Sequence, residues 1–215
     1  MKAVFFDFDY TLADSAGAIL ECLRYALLAK RLPLAPESRM LATIGLTLSD
    51  AFKILAPDAS APELIELFKE RADQIMVEAT RLYPAAPPVL KSLKEGGYLL
   101  GIVSTKFRFR IEAVLEREKL DHLFDAIIGG EDVGKHKPDP EALLLAIEKT
   151  GSDKDSAAYV GDSIIDAQTA AAAGVAFIGV TSGVTSEKEF GNYPALAVVK
   201  DLTQLAAILG VTFVA

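Results

Sequence analysis

The chain opens with Met1-Lys2-Ala3-Val4-Phe5-Phe6 and then turns acidic as Asp7-Phe8-Asp9-Tyr10-Thr11-Leu12. A short apolar run that ends this abruptly predicts a strand buried on both faces, as in a parallel sheet. Two carboxylates at the carboxyl end of such a strand are costly to desolvate, so packing gives no reason for them. Open α/β sheets bind ligands in the crevice beyond those strand ends. The pair therefore points to a cation site, a nucleophile, or both.

After Leu12 the apolar spacing changes from strand to helix. Ile19, Leu20, Leu23, Leu27 and Lys30 share helical spacing, Leu48, Phe52 and Leu55 predict a second helix, and Pro62 opens a third with an apolar stripe through Met76 and Ala79. Residues 14–82 thus read as an all-helical block. The segment Tyr83-Pro84-Ala85-Ala86-Pro87-Pro88 reads as a stiff connector. Beyond it, strands predicted at 98–103, 126–128, 157–160 and 176–180 alternate with helices at 108–118, 140–150 and 163–173, and residues 196–199 suggest an edge strand. Such alternation implies an α/β fold, with a Rossmann-like parallel sheet covered on both faces. The expected division is a core of residues 1–13 and 83–215, with residues 14–82 inserted as a helical cap over the sheet's carboxyl edge.

Composition narrows the partners. Hydrophobic residues make up 51% of the 215 positions, ample for a packed core, and the formal net charge is −8. That balance argues against nucleic acid or an anionic membrane, but not against a small anion held at a locally positive site. Cys22 is the only cysteine, no leader-like or membrane-spanning pattern is evident, and a cytoplasmic monomer or homodimer is the expectation.

Each predicted central strand is followed by residues suited to phosphate chemistry. Asp7, Asp9 and Thr11 follow the first. Ser104 and Thr105 follow the second, at the expected start of a helix whose free N–H groups would receive an anion. Lys137, just before Pro138 and a helix at Pro140, follows the third. Asp162, expected to start a helix, and Asp166, one turn later, follow the fourth. Mg²⁺ typically binds one or two carboxylates together with substrate phosphate. An ammonium and hydroxyl donors would take the remaining oxygens. Positioning and charge stabilisation then carry phosphoryl transfer. A covalent aspartyl-phosphate divides the barrier, and a second aspartate supplies acid–base chemistry.

Asp7-Phe8-Asp9-Tyr10-Thr11, Ser104, Lys137-Pro138 and Gly161-Asp162-Ser163-x-x-Asp166 resemble, in order and spacing, the four motifs of the haloacid dehalogenase-like hydrolases. The helical insert resembles the C1 cap of the subfamily that includes phosphoglycolate phosphatase. The resemblance implies that Asp7 is the nucleophile and a metal ligand. Asp9 would be the general acid/base, with its backbone carbonyl on Mg²⁺. Thr11 would support the loop, Ser104 would bind phosphate, Lys137 would neutralise nucleophile and phosphate, and Asp162 and Asp166 would complete the metal site. Asp9 also places the chain with the phosphatases of this superfamily, because its true dehalogenases lack that second aspartate.

Thr105 stands where phosphoglycolate phosphatases commonly carry asparagine, and Ala85 where the usual Pro-Gly has glycine. The Ser104-Thr105-Lys106 variant and Ile44-Gly45-Leu46-Thr47-Leu48 look somewhat like a bacterial pyrophosphatase of the same subfamily. Residues 44–48, Gly45 above all, form the candidate specificity loop, and Thr105 is grouped with the phosphate-binding residues. The expected function is hydrolysis of a small phosphorylated metabolite, with phosphoglycolate leading and pyrophosphate, a sugar phosphate or phosphomutase chemistry as alternatives. A catalytically silent phosphate-binding protein is the rival outside enzymology. Lys106, Arg108 and Arg110 read as a solvated helix face, with attraction of an anion by one of them as the alternative, and Cys22 reads as the packed side of a cap helix.

Overall fold

A computed structural model describes residues 2–211. The strands are β1 (Ala3–Phe6), β2 (Ala13–Asp14), β3 (Arg81–Leu82), β4 (Leu99–Val103), β5 (Ala126–Ile128), β6 (Ala157–Gly161), β7 (Ala176–Val180) and β8 (Ala197–Val199). The helices are α1 (Ala16–Ala29), α2 (Glu37–Leu41), α3 (Leu48–Leu55), α4 (Ala61–Ala79), α5 (Ala86–Glu95), α6 (Arg108–Glu118), α7 (Glu141–Thr150), α8 (Ile164–Ala173), α9 (Glu187–Phe190) and α10 (Leu205–Leu209).

Six strands form one parallel sheet in the order β5-β4-β1-β6-β7-β8. The fold is α/β, as the alternation implies. In the register, Phe6 of β1 lies opposite Ile102 on one side and Val160 on the other. The chain builds outward from β1 through β4 to β5, then returns to place β6 on the opposite flank. That reversal is a topological switch point, and the crevice beyond it is where open α/β sheets take ligands. The carboxyl ends of β1, β4 and β6 therefore lie side by side, bringing Asp7, Ser104 and Asp162 into one neighbourhood.

Alternation along β1 divides the core. Val4 and Phe6 join Leu100, Ile102 and Val160 on one face, packed under α5, α6 and α10. Phe5 joins Val103, Tyr159 and Phe177 on the other, under α7 and α8. Helices α1–α4 bury a third, separate cluster that includes Cys22, Leu23, Leu27, Phe52, Phe68 and Met76. These helices leave and re-enter the sheet unit through the antiparallel pair β2–β3, where Ala13 lies opposite Leu82 and Asp14 opposite Arg81. The two crossings expected at the ends of the helical block are thus hydrogen-bonded to each other.

Three local expectations need correction. The connector at 83–88 is partly helical: Pro87 and Pro88 sit in the first turn of α5, where missing N–H groups leave no hydrogen bond unmade. Helix α2 emerges between Pro36 and Ala42, a segment in which the sequence predicts no helix. The helical block also carries the short β2 and β3 strands at its ends. Among the described residues, no helix is long and apolar enough to cross a membrane.

Candidate active site

The acidic turn after β1 is tightly folded. Phe8 N–H donates to Asp7 Oδ1 at 2.7 Å, and the Leu12 and Ala13 amides both donate to the Phe8 carbonyl. This compact turn holds Asp7 and Asp9 on opposite sides.

Asp7 faces the neighbouring strand ends. Its Oδ2 lies 2.9 Å from Lys137 Nζ, which also contacts Asp166 Oδ1 at 2.7 Å and Tyr159 Oη at 3.2 Å. Carboxylate oxygens of Asp7, Asp162 and Asp166 all lie within 4.8 Å of one another, and all three residues are buried. Thr11 Oγ1 donates to Asp162 Oδ1 at 3.1 Å, so this fully buried threonine supports the acidic cluster directly.

Asp166 is held from two sides. Its Oδ2 accepts from the Ser163 amide at 3.1 Å and the Ser163 hydroxyl at 2.6 Å, closing a capping box at the start of α8. Its Oδ1 takes Lys137 and the Tyr159 hydroxyl, which also reaches the Val103 carbonyl at 2.8 Å. A Cβ on Gly161 would approach the Asp166 side chain to 2.4–2.6 Å, so only glycine lets β6 pass this close. The N-cap of α8 is Ser163, so Asp162 does not start the helix as expected but lies one residue before it, directly after β6.

Burial pushes the Asp7 carboxyl up to about 6; Lys137 works against this and Asp166 reinforces it. Burial, then Asp166 and Asp7, push Asp162 well above the usual carboxylate range. For Lys137, burial alone would favour the neutral amine, but Asp166 and Asp7 more than offset it and keep the ammonium charged. With all three carboxyls ionised, the three carboxylates and one ammonium leave two negative charges uncompensated, which one divalent cation would balance. The donor set is all hard oxygen, the chemistry Mg²⁺ prefers, so these residues fit such an ion.

Asp9 sits apart from this cluster. Its Oδ1 accepts from Ser15 Oγ at 2.5 Å and Lys106 Nζ at 3.0 Å. Ser15 is the N-cap of α1 and Lys106 follows β4, so this carboxylate joins the helical block to the sheet unit. As a metal-site residue Asp9 has only its backbone to offer, because its side chain is committed elsewhere. Ser104 is buried beside β4 with its amide on the Ile128 carbonyl. Thr105 Oγ1 donates to the Gly45 carbonyl at 3.1 Å, so two residues expected to touch substrate touch each other. Gly45 has φ +94°, a left-handed conformation that a side chain would strain.

Two expectations fail here. Ser104 and Thr105 do not open a helix: α6 begins at Arg108, and the Glu131 carboxylate already accepts from the Arg108 amide at 2.9 Å. The anion site expected at that helix end is therefore filled by the chain itself. Nor do Lys106 and Arg110 form a solvated face. Both are buried: Arg110 lies where α4 packs against α6, and Lys106, which precedes α6, turns inward to Asp9. Arg110 meets Asp73 at 2.5 Å and is flanked by the rings of Phe107 and Phe109. Arg108 does remain at the surface, paired with Asp132 at 3.0 Å.

A cavity of about 300 Å³ lies between the helical block and the sheet unit. Asp9, Lys106, Arg110 and Thr105 line it from one side, Ile19, Leu23 and residues 43–49 from the other. Sequence reasoning missed Lys106, Arg110, Ser15 and Tyr159. For Lys106 the available signal was its place directly after Ser104-Thr105; the others carry no local mark.

The comparisons with known proteins agree with this geometry. The family described as haloacid dehalogenase-like hydrolase matches residues 4–180. The chain is 30% identical to pyrophosphatase PpaX of Bacillus pumilus, over 98% of this chain and 97% of that protein. It is 31% identical to the phosphoglycolate phosphatase of Haemophilus influenzae, over 97% and 98% respectively. A crystal structure described as that of a haloacid dehalogenase-like hydrolase from Bacteroides fragilis superposes with a TM-score of 0.91 at 45% identity, covering 95% of this chain and all of that one. The match spans the sheet, the helical insert and every motif at the strand ends: the chain belongs to the haloacid dehalogenase-like hydrolases.

Proposed function

We propose that this hydrolase is a Mg²⁺-dependent phosphatase acting on a small phosphorylated metabolite through an aspartyl-phosphate, with 2-phosphoglycolate as the leading substrate. The observation that carries the reading is the Lys137 ammonium bridging Asp7 and Asp166, with Asp162 in the same cluster, at the carboxyl ends of β1 and β6. Relatives named phosphoglycolate phosphatase and pyrophosphatase, similar over nearly the whole chain, support it.

Asp7 is the nucleophile. Its carboxylate attacks phosphorus, the phosphorus–oxygen bond to the leaving group breaks, and Asp9, which enters the step protonated on Oδ2 while Oδ1 keeps its contacts with Ser15 and Lys106, gives that proton to the departing oxygen. Asp9, ionised by that transfer, then takes a proton from the water that hydrolyses the aspartyl-phosphate and releases inorganic phosphate. Lys137 and Ser104 hold phosphate oxygens, and Thr11 fixes Asp162. A divalent cation held by Asp7, Asp162, Asp166 and the Asp9 carbonyl would offset the charge that otherwise keeps an anionic nucleophile from an anionic phosphate. Residues 14–82 act as the cap, meeting the core at Thr105–Gly45 and excluding water from the site.

The cap loop 44–48 and the Ser104-Thr105-Lys106 sequence favour pyrophosphate as the second substrate. Every core motif residue is present, which counts against a silent binding protein. The test is hydrolysis of p-nitrophenyl phosphate and 2-phosphoglycolate with Mg²⁺, with EDTA, and by the Asp7→Asn variant. Turnover that requires both Mg²⁺ and Asp7 is expected. Turnover that survives Asp7→Asn overturns the mechanism, and a sugar-phosphate isomerisation assay separates phosphomutase chemistry.

A further inference from the structure

The cavity above Asp9 carries more positive charge than its surroundings need. Lys69, Lys106 and Arg110 line it against the single carboxylate of Asp9, in a chain whose net charge is −8. The acids that pair with Lys69 and Arg110 lie outside it: Glu66 and Asp73 have side chains 74% and 61% exposed, and water solvates them. Only Lys106 spends its charge on a group within the cavity, the Asp9 carboxylate.

Arg110 is the most constrained of the three. Its side chain is 6% exposed. Its guanidinium lies 5.2 Å from the Phe107 ring centre and 4.9 Å from that of Phe109, which restricts its plane. One terminal nitrogen reaches Asp73 and the Lys69 carbonyl. Its Nε–H has no acceptor among the described residues, and it is the one buried side-chain nitrogen or oxygen there left in that condition. Leaving such a donor unmet is unfavourable, and a ligand oxygen entering the cavity that Arg110 lines would relieve it once the guanidinium turns toward it.

Position decides which part of a substrate would supply that oxygen. Asp9, the proton donor to the leaving oxygen, lines this cavity, whereas Asp7, Asp162, Asp166 and Lys137 do not. The leaving group therefore enters it while the transferring phosphoryl group stays at the acidic cluster.

Building on the phosphatase reading, we propose that Arg110 is a specificity-determining residue that binds a second anionic group, a carboxylate or a second phosphate, on the leaving side of the substrate. Phosphate esters with a neutral leaving group leave this donor unmet. The enzyme accordingly prefers doubly anionic substrates.

The test compares kcat/KM for 2-phosphoglycolate and for pyrophosphate, each divided by that for ethyl phosphate, in the wild type, Arg110→Gln and Asp73→Asn. Losing a charge-assisted hydrogen bond should lower at least one ratio about tenfold or more in Arg110→Gln. A fall confined to 2-phosphoglycolate assigns the carboxylate, and one confined to pyrophosphate assigns the second phosphate. Asp73→Asn releases the ion pair but keeps the cation, so both ratios should hold. Unchanged ratios in Arg110→Gln, or an equal fall in Asp73→Asn, overturn the proposal. Should Arg110→Gln unfold, Arg110→Lys carries the test: it keeps the charge but lacks Nε–H, and an unchanged ratio again overturns the assignment. Wild-type turnover with no preference for either anionic substrate defeats the proposal alone. No turnover of any of the three defeats the phosphatase reading with it.

Discussion

The Lys137 ammonium lies 2.7 Å from the Asp166 carboxylate, with neither side chain more than 2% exposed, although one residue comes from the loop before α7 and the other from the first turn of α8. The same nitrogen reaches Asp7 at 2.9 Å. Breaking a buried ion pair by removing one partner is far more costly than never forming it, because the charge left behind stays desolvated. Lys137→Met is expected to destabilise the protein by about 3–5 kcal/mol and to abolish turnover. Urea unfolding and a p-nitrophenyl phosphate assay check both; a variant of normal stability would mean that the carboxylates neutralise each other by sharing protons.

Asp9→Asn should separate chemistry from binding. The amide oxygen still accepts from Ser15 and Lys106, so the link to α1 persists, while the proposed proton donor is lost. Turnover is expected to fall by about 10²- to 10⁴-fold with Mg²⁺ affinity unchanged. Calorimetric titration with Mg²⁺ beside steady-state kinetics decides it, and loss of metal binding with intact chemistry would contradict the proton-transfer role.

Metal and protons should compete for the acidic cluster. The Asp7 carboxyl is raised from 3.8 to about 6 by burial, and Asp162 is raised as well. A raised carboxyl binds more protons folded than unfolded, so its contribution makes the metal-free protein less stable as pH rises from about 4 through 6. Mg²⁺ requires the ionised groups and restores that loss. The rise in Tm on adding Mg²⁺ should therefore be larger at about pH 7.5 than at about pH 5. Thermal melts with and without Mg²⁺ at both pH values measure it, and a pH-independent shift would place the ion elsewhere.

Thr105→Val removes the hydroxyl that reaches the Gly45 carbonyl across the cavity mouth. A neutral hydrogen bond contributes about 0.5–1.5 kcal/mol, so kcat/KM should fall about twofold to tenfold with Mg²⁺ affinity unchanged. If closure of residues 14–82 over the core limits the reaction, small-angle scattering with BeF₃⁻ should show less compaction in the variant than in the wild type. Identical profiles would argue against closure through this contact.

The parallel sheet and the acidic cluster were legible because they are local patterns. An apolar strand followed at once by its polar residue marks the sheet edge, and Asp7, Ser104 and Asp162 each follow that rule, whereas Lys137 stands well beyond β5 and was legible from the proline-marked helix start that follows it. The direction of each side chain is another matter. Asp9 lies two residues from Asp7, yet the turn sends its carboxylate to Ser15 and Lys106, away from Asp162 and Asp166. The charges of Lys106 and Arg110 read as solvated because a single helix carries no sign of what covers it.

By itself the sequence determined the α/β alternation, the helical insert and the residue types that converge where β1, β4 and β6 end, since strand periodicity and capping are written in near neighbours. Only the tertiary structure decided that α4 covers α6, that Tyr159 and Lys137 join Asp166, and that Thr105 meets Gly45. Those contacts join residues far apart in the chain, and burial, which sets their charge and hydrogen bonding, is a property of the packed whole.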